Sequence, residues 1–134
     1  MLVVDAANVI GSRPTGWWRD RPGAARAFVG QLRAAAGRGA LPRPVVVVLE
    51  GDARAGAAET DADGVRVVHA VGSGDDALLA ELARAGEGAE VTVVTADRAL
   101  GDRARRAGAE TVGPSWLYRR LDPSHPGGGS SAGT

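Results

Sequence analysis

The chain has 134 residues, a length that suits one domain with a real core, and its 16 Lys+Arg balance its 16 Asp+Glu, so no global field draws it onto nucleic acid. It contains no cysteine, which excludes disulfides, thiolate zinc sites and cysteine nucleophiles. No leader-like start and no apolar run near about 18 residues occurs, so a soluble, cytoplasmic protein with no membrane partner is expected. Every cation is arginine, whose planar fork suits phosphate.

Along the chain, Met1–Asp5 reads as a short buried strand that ends in a carboxylate. Pro22 then opens a helix in which Ala25, Phe28, Val29, Leu32 and Ala36 recur at helical spacing before Gly37. Val45–Leu49 is an unbroken apolar run, four valines and a leucine, as expected of a strand covered on both faces. The polar link 51–64 is weakly periodic and reads as a loop or a short helix. Val65–Ala70 is a third strand, followed by a helix over roughly Asp75–Ala85 with Leu78, Leu79 and Leu82. Val91–Thr95 is a fourth strand and roughly Arg98–Ala107 a third helix. Glu110–Val112 is a short fifth strand, and Trp116–Leu121 a closing helical turn or two. From Asp122 the Gly/Ser-rich end buries nothing and is expected to be a disordered tail, leaving 1–121 as the domain. Strand–helix alternation with short links predicts a mainly parallel sheet of four to five strands with helices on both faces.

In such a sheet the C-terminal strand ends share one edge, where α/β folds keep their ligand crevice. Asp5, Asp75-Asp76 and Asp97 all follow strands there, and three separated carboxylates point to a divalent metal site. Mg²⁺ and Mn²⁺ prefer hard oxygen ligands and can polarise a phosphoryl group and activate water. Each carboxylate except Asp5 has a competing role. Asp97 stands where a helix N-cap would, and Asp75 or Asp76 falls in a first turn that favours acids, with Ser73-Gly-Asp-Asp76 resembling a capping box. No helix is expected to begin at Asp5. Asn8 either hydrogen-bonds Asp5 or supports the turn after the strand. For a fourth ligand, Asp102 either pairs with Arg106 or reaches the metal through water. Asp52 ranks ahead of Glu50 after the second strand.

Beyond Asn8, the segment 12–21 carries Arg13, Trp17, Trp18, Arg19 and Arg21 and should border the acidic edge. Its arginines can contact phosphates and an exposed Trp can stack on an unpaired base, although at least one Trp is as well suited to packing on the domain. Arg98, Arg103, Arg105 and Arg106 read as a solvated helix face, Trp116 as core, and His69 as a satisfied structural histidine rather than a base. Three functions are weighed: first, hydrolysis of single-stranded or loop RNA; second, metal-dependent pyrophosphohydrolysis of a nucleotide; third, an RNA-binding or protein-interaction module whose acidic cluster no longer binds metal. No Gly-x-x-x-x-Gly-Lys-[ST] loop occurs, which argues against a P-loop NTPase.

Val3-Val-Asp-Ala-Ala-Asn-Val-Ile10, the turn Gly72-Ser-Gly-Asp-Asp76 before Ala77-Leu-Leu, and Val93-Val-Thr-Ala-Asp-Arg-Ala-Leu100 resemble, in order, the NYN branch of PIN-like ribonucleases, especially the YacP-like group. The first motif is moderately specific and the other two gain weight from their joint order over residues 1–120. The resemblance implies a three-layer α/β/α PIN-like (Rossmann-like) fold and a metal-dependent endoribonuclease centre. Asp5, Asp76 and Asp97 would then bind Mg²⁺ or Mn²⁺, with Asp75 nearby and Asn8 supporting Asp5. RNA would be the partner, with a ribosome or a second copy of the chain as further candidates. Ala6 stands where the family usually has Gly after the first Asp, and the chain is shorter than many members.

Overall fold

The computed structural model describes residues 1–124. The strands are β1 (Leu2–Asp5), β2 (Val45–Leu49), β3 (Asp61–Ala62), β4 (Val65–His69), β5 (Thr92–Val94) and β6 (Glu110–Val112). The helices are α1 (Ala6–Gly11), α2 (Arg21–Gly37), α3 (Gly74–Ala85), α4 (Arg98–Arg106) and α5 (Pro114–Leu121), with 3₁₀ turns at Trp17–Arg19 and Gly51–Gly56. One sheet has the order β3-β4-β2-β1-β5-β6 and is parallel except for β3, which pairs antiparallel with β4. The expected parallel strands are all present. The sixth, β3, is a two-residue edge strand inside the polar link, too short to leave an alternation in the sequence.

Period-2 alternation sends the strand side chains to opposite faces. Leu2, Val4, Val45, Val47, Leu49 and Val94 join one core layer with α1, α2 and α5. Val3, Val46, Val48 and Val93 join the other with α3 and α4. The fold is therefore three-layered, α/β/α. Its central strands are buried on both sides, which is why β2 carries no polar residue. On the second face Glu81 of α3, only 5% exposed, forms ion pairs with Arg66 of β4 and Arg84, and so ties α3 to the sheet.

One expectation needs correction. A helix does begin at Asp5: α1 is six residues long and Asp5 is its N-cap, accepting from the Asn8 amide at 3.4 Å. Six residues are less than two turns, too few for helical periodicity to show. At the start of the expected tail residues 122–124 are exposed, and Arg38 Nη2 donates to the carbonyls of Arg120 at 2.7 Å and Asp122 at 3.1 Å. The rest of the expected tail, from residue 125, lies outside the described residues.

Candidate active site

The register sets Asp5 beside Val48 of β2, while Val4 pairs with Val94 of β5, so Thr95 follows directly alongside Asp5. Asp5 has the parity of Val3, Glu50 that of Val46 and Val48, and Thr95 that of Val93, so alternation turns all three towards α3 and α4. Asp5 is 6% exposed. Its Oδ2 accepts from Asn8 Nδ2 and, at 3.1 Å, from Thr95 Oγ1. Thr95 Oγ1 in turn accepts from the Asp97 amide at 3.1 Å, and Asp97 Oδ1 caps α4 by accepting from the Leu100 amide at 3.1 Å. Burial pushes the Asp5 carboxyl above its ordinary value of 3.8. The bonds from Asn8 and Thr95 pull it back, and the charge of Asp75 adds to the rise.

On α3, Ser73 caps the helix by accepting from the Asp76 amide at 3.2 Å. Asp75 is half-buried and Asp76 exposed. Asp75 is also raised, by burial first and then by the charges of Asp97 and Glu50 and, less, of Asp76, with Arg103 of α4 acting in the opposite direction. Asp5, Glu50, Asp75 and Asp97 therefore share one field. Glu50 reaches its position because Gly74 opens α3 without a side chain. The Gly74 amide donates to Glu50 Oε2 at 2.5 Å, and a Cβ on Gly74 would stand 2.7 Å from that oxygen. The N-termini of α3 and α4, capped by Ser73 and Asp97, face this edge and partly offset the repulsion among the carboxylates.

The expected residues are thus divided. Asp5, Asn8, Asp75 and Asp97 come together, and Asp76, exposed in the first turn of α3, adds its charge to the field at Asp75. Asp102 pairs with Arg105 rather than Arg106, and both are exposed, so it is a surface ion pair. Asp52 is exposed on the 3₁₀ turn and Glu50 takes the place at the edge, reversing their expected ranking. Thr95, a strand end within the third family-like motif but not a predicted site residue, is the hydrogen-bonded link between Asp5 and Asp97. His69 is satisfied by the Ala57 carbonyl at 2.7 Å. Trp116 is half-buried with the Arg120 guanidinium 3.8 Å from its ring centre.

Beside the carboxylates lies a cavity of about 410 Å³ whose lining includes Ala6, Ile10, Trp17, Arg21, Glu50 and Gly72. Trp17 is half-buried in its wall, with Arg21 5.2 Å from the ring centre. Trp18 is 54% exposed and meets Trp17 edge-on at 6.2 Å, with Arg19 5.9 Å from its own ring. Arg13 stacks on Tyr118 at 3.7 Å. The segment expected to hold substrate does border the acidic edge, with one Trp packed and one largely free.

The donor set suits a hard divalent cation. Asp5 is a deeply buried carboxylate with neutral hydrogen-bond partners, and nearby acids raise the proton affinity of Asp5 and Asp75, a repulsion that a cation would relieve. Among the described residues no three His, Asp or Glu side chains are close enough to enclose one ion. An ion held here would therefore take one or two carboxylates and several waters, as Mg²⁺ does, rather than a cage of protein ligands.

A mainly parallel sheet between two helical layers is the three-layer α/β/α fold that the sequence predicts. The fold is shared with Rae1 (YacP) from Bacillus subtilis: its crystal structure superposes with a TM-score of 0.65 at 21% sequence identity, covering 90% of this chain and 74% of that one. No protein-family model and no curated protein sequence matches the chain. Among the described residues no helix is long and apolar enough to cross a membrane.

Proposed function

We propose that the protein is a metal-dependent endoribonuclease that hydrolyses phosphodiester bonds of unpaired RNA at the Asp5 edge. The observation that supports this most is Asp5 itself: a 6%-exposed carboxylate at the tip of a central strand, oriented by Asn8 and Thr95, linked through Thr95 to Asp97 and acted on by the charge of Asp75, which Glu50 acts on in turn. Burying a charge without a cation is costly, so such an arrangement is characteristic of function rather than of stability. The sequence motifs resembling the YacP-like ribonucleases and the fold shared with Rae1 (YacP) agree with this reading.

Asp5, with Asp75 or Asp97, would hold Mg²⁺ or Mn²⁺ through one or two carboxylates, and the remaining acids, Glu50 and the exposed Asp76 included, would act through bound water. When bound, the ion supplies a Lewis acid for the phosphoryl oxygens and lowers the pKa of the attacking water. Asn8 and Thr95 fix the Asp5 rotamer, and the Asp97 cap fixes the second carboxylate. Arg13, Arg19 and Arg21 supply positive charge along the strand path, with Trp17 and Trp18 as stacking surfaces.

The test is cleavage of an unstructured RNA in Mn²⁺, before and after EDTA, with wild type and Asp5→Asn. Wild type cuts internally only with metal and its melting temperature rises with Mn²⁺. Asp5→Asn folds and does neither. Metal binding with intact RNA and consumption of a nucleoside triphosphate would replace this reading by nucleotide pyrophosphohydrolysis. No response to millimolar Mn²⁺ would leave an RNA-binding module.

A further inference from the structure

We infer that the cavity beside the acidic edge is a pocket for one unpaired nucleobase of the RNA strand, next to the phosphodiester that is cut; this rests on the nuclease reading above. The cavity of about 410 Å³ falls within the usual range of ligand sites, roughly 300–1,000 Å³. Its walls are apolar and mostly small. Ala6, Ala7 and Ala24 leave the space, Ile10 closes one side, and the Trp17 indole offers a planar surface. That ring is supported from two directions: a Cβ added at Gly11 would already stand 3.4 Å from it, and the Arg21 guanidinium lies 5.2 Å from the ring centre. A supported indole in a small-residue cleft suits the face of an aromatic heterocycle, and stacking of this kind accepts every base.

Position specifies the occupant further. Ala6 follows Asp5 directly in the chain, and Glu50 belongs both to the cavity wall and to the acidic field. A base seated here therefore carries its own phosphates to the carboxylates, and Glu50 is available to an exocyclic amino group, as carboxylates are to cytosine N4. The rim continues the surface. Trp18 is 54% exposed beside Trp17, and Val71, fully exposed, adjoins Gly72 of the wall, so the bases on either side meet apolar ground. A base inside a duplex cannot enter such a recess without leaving the stack, so the pocket selects loops and single strands.

The test uses short unstructured RNAs in which a single abasic nucleotide is moved along the strand, binding being read by fluorescence anisotropy in EDTA and cut sites mapped in Mn²⁺. One abasic position, at a fixed distance from the cut, should weaken binding about 5- to 100-fold, the range that loss of one stacked base implies. Ala24→Leu, which fills the cavity with a good helix former, should bring intact RNA down to the abasic level and abolish the position dependence. Trp17→Ala should do the same, and Trp17→Phe, which keeps a ring, should restore most of it. RNA that is cut while every abasic position binds alike overturns the pocket and leaves the nuclease reading standing. A position-dependent loss without any cleavage supports the pocket and removes the nuclease reading. RNA neither bound nor cut, or a free mononucleotide bound as tightly as the strand, overturns the pocket.

Discussion

Thr95→Val tests whether the hydroxyl linking Asp5 to Asp97 acts through the Asp5 charge. The change keeps shape and removes one oxygen. Two bonds go: the donation to Asp5 Oδ2 at 3.1 Å and the acceptance from the Asp97 amide at 3.1 Å. A hydrogen bond to a charged group contributes about 1.5–3 kcal/mol and a neutral one about 1. The extra buried methyl returns about 0.8 kcal/mol. The net loss at neutral pH is then about 2–3 kcal/mol, or roughly 6–12 °C in melting temperature for a domain of this size. The sign of the pH dependence follows from Asp5. Its carboxyl is raised above 3.8 in the folded chain, so the protonated form is the one that folding favours. That favourable contribution is complete below 3.8 and is lost as pH rises through the folded value. The Thr95 bond counters the rise, and removing it pushes Asp5 higher still. Below 3.8 the carboxyl is neutral, only ordinary hydrogen bonds are at stake, and the variant should lose about 1 kcal/mol. Urea titrations in EDTA from pH 7 towards 3.8 measure the difference between wild type and variant. A loss that stays constant across that range would refute an action through the Asp5 charge. In Mn²⁺ the same variant should need a higher pH to reach its full cleavage rate.

Glu50→Gln should keep the Gly74 bond but remove a charge from the site, lowering metal-dependent cleavage about 10–100-fold and reducing the Mn²⁺ thermal shift. Asp52→Asn, on the exposed 3₁₀ turn, should change neither. Arg66→Met leaves Glu81 buried with only the largely exposed Arg84 as partner, and should cost about 3 kcal/mol in chemical denaturation while cleavage per folded molecule is unchanged.

Much of this site is legible in the sequence, though some residues require the element boundaries first. Once Val3, Val46 with Val48, and Val93 are known to face the same layer, period 2 extends each strand to Asp5, Glu50 and Thr95 respectively. Glu50 is therefore a better candidate than Asp52 on alternation alone. Helical spacing does the same for α3. Leu78 and Leu82 face the sheet, and Asp75 lies three residues before Leu78 and seven before Leu82 on that face, while Asp76 aligns with Leu79 and Ala80. The Ser73 capping pattern draws attention to Asp76, because its amide makes the cap bond, although its side chain is exposed. What the sequence cannot display is α1, too short to show a period, and the cavity. That space depends on how α2 and the 3₁₀ turn Gly51–Gly56 meet: a Cβ on Gly56 would stand 2.2 Å from the Pro22 carbonyl. The separation of such distant segments is a tertiary property.

Capping and metal binding looked like rival explanations of the same acids, and the structure makes them compatible. A carboxylate has two oxygens and about four lone-pair sites. The α4 cap uses Oδ1 of Asp97, and the α1 cap uses Oδ1 of Asp5 through a long 3.4 Å bond. Neither exhausts the group. The cap bond instead fixes the rotamer, so that a carboxylate at a strand–helix junction is held in one orientation before any cation arrives, which is what a preorganised site requires. Capping alone does not account for the burial of Asp5. An N-cap works equally well in water, whereas Asp5 is almost fully withdrawn from it, accepts from Thr95 across the sheet, and is destabilised by Asp75. The cap accounts for the position of the residue, and the cost of its charge there is what the proposed cation would offset.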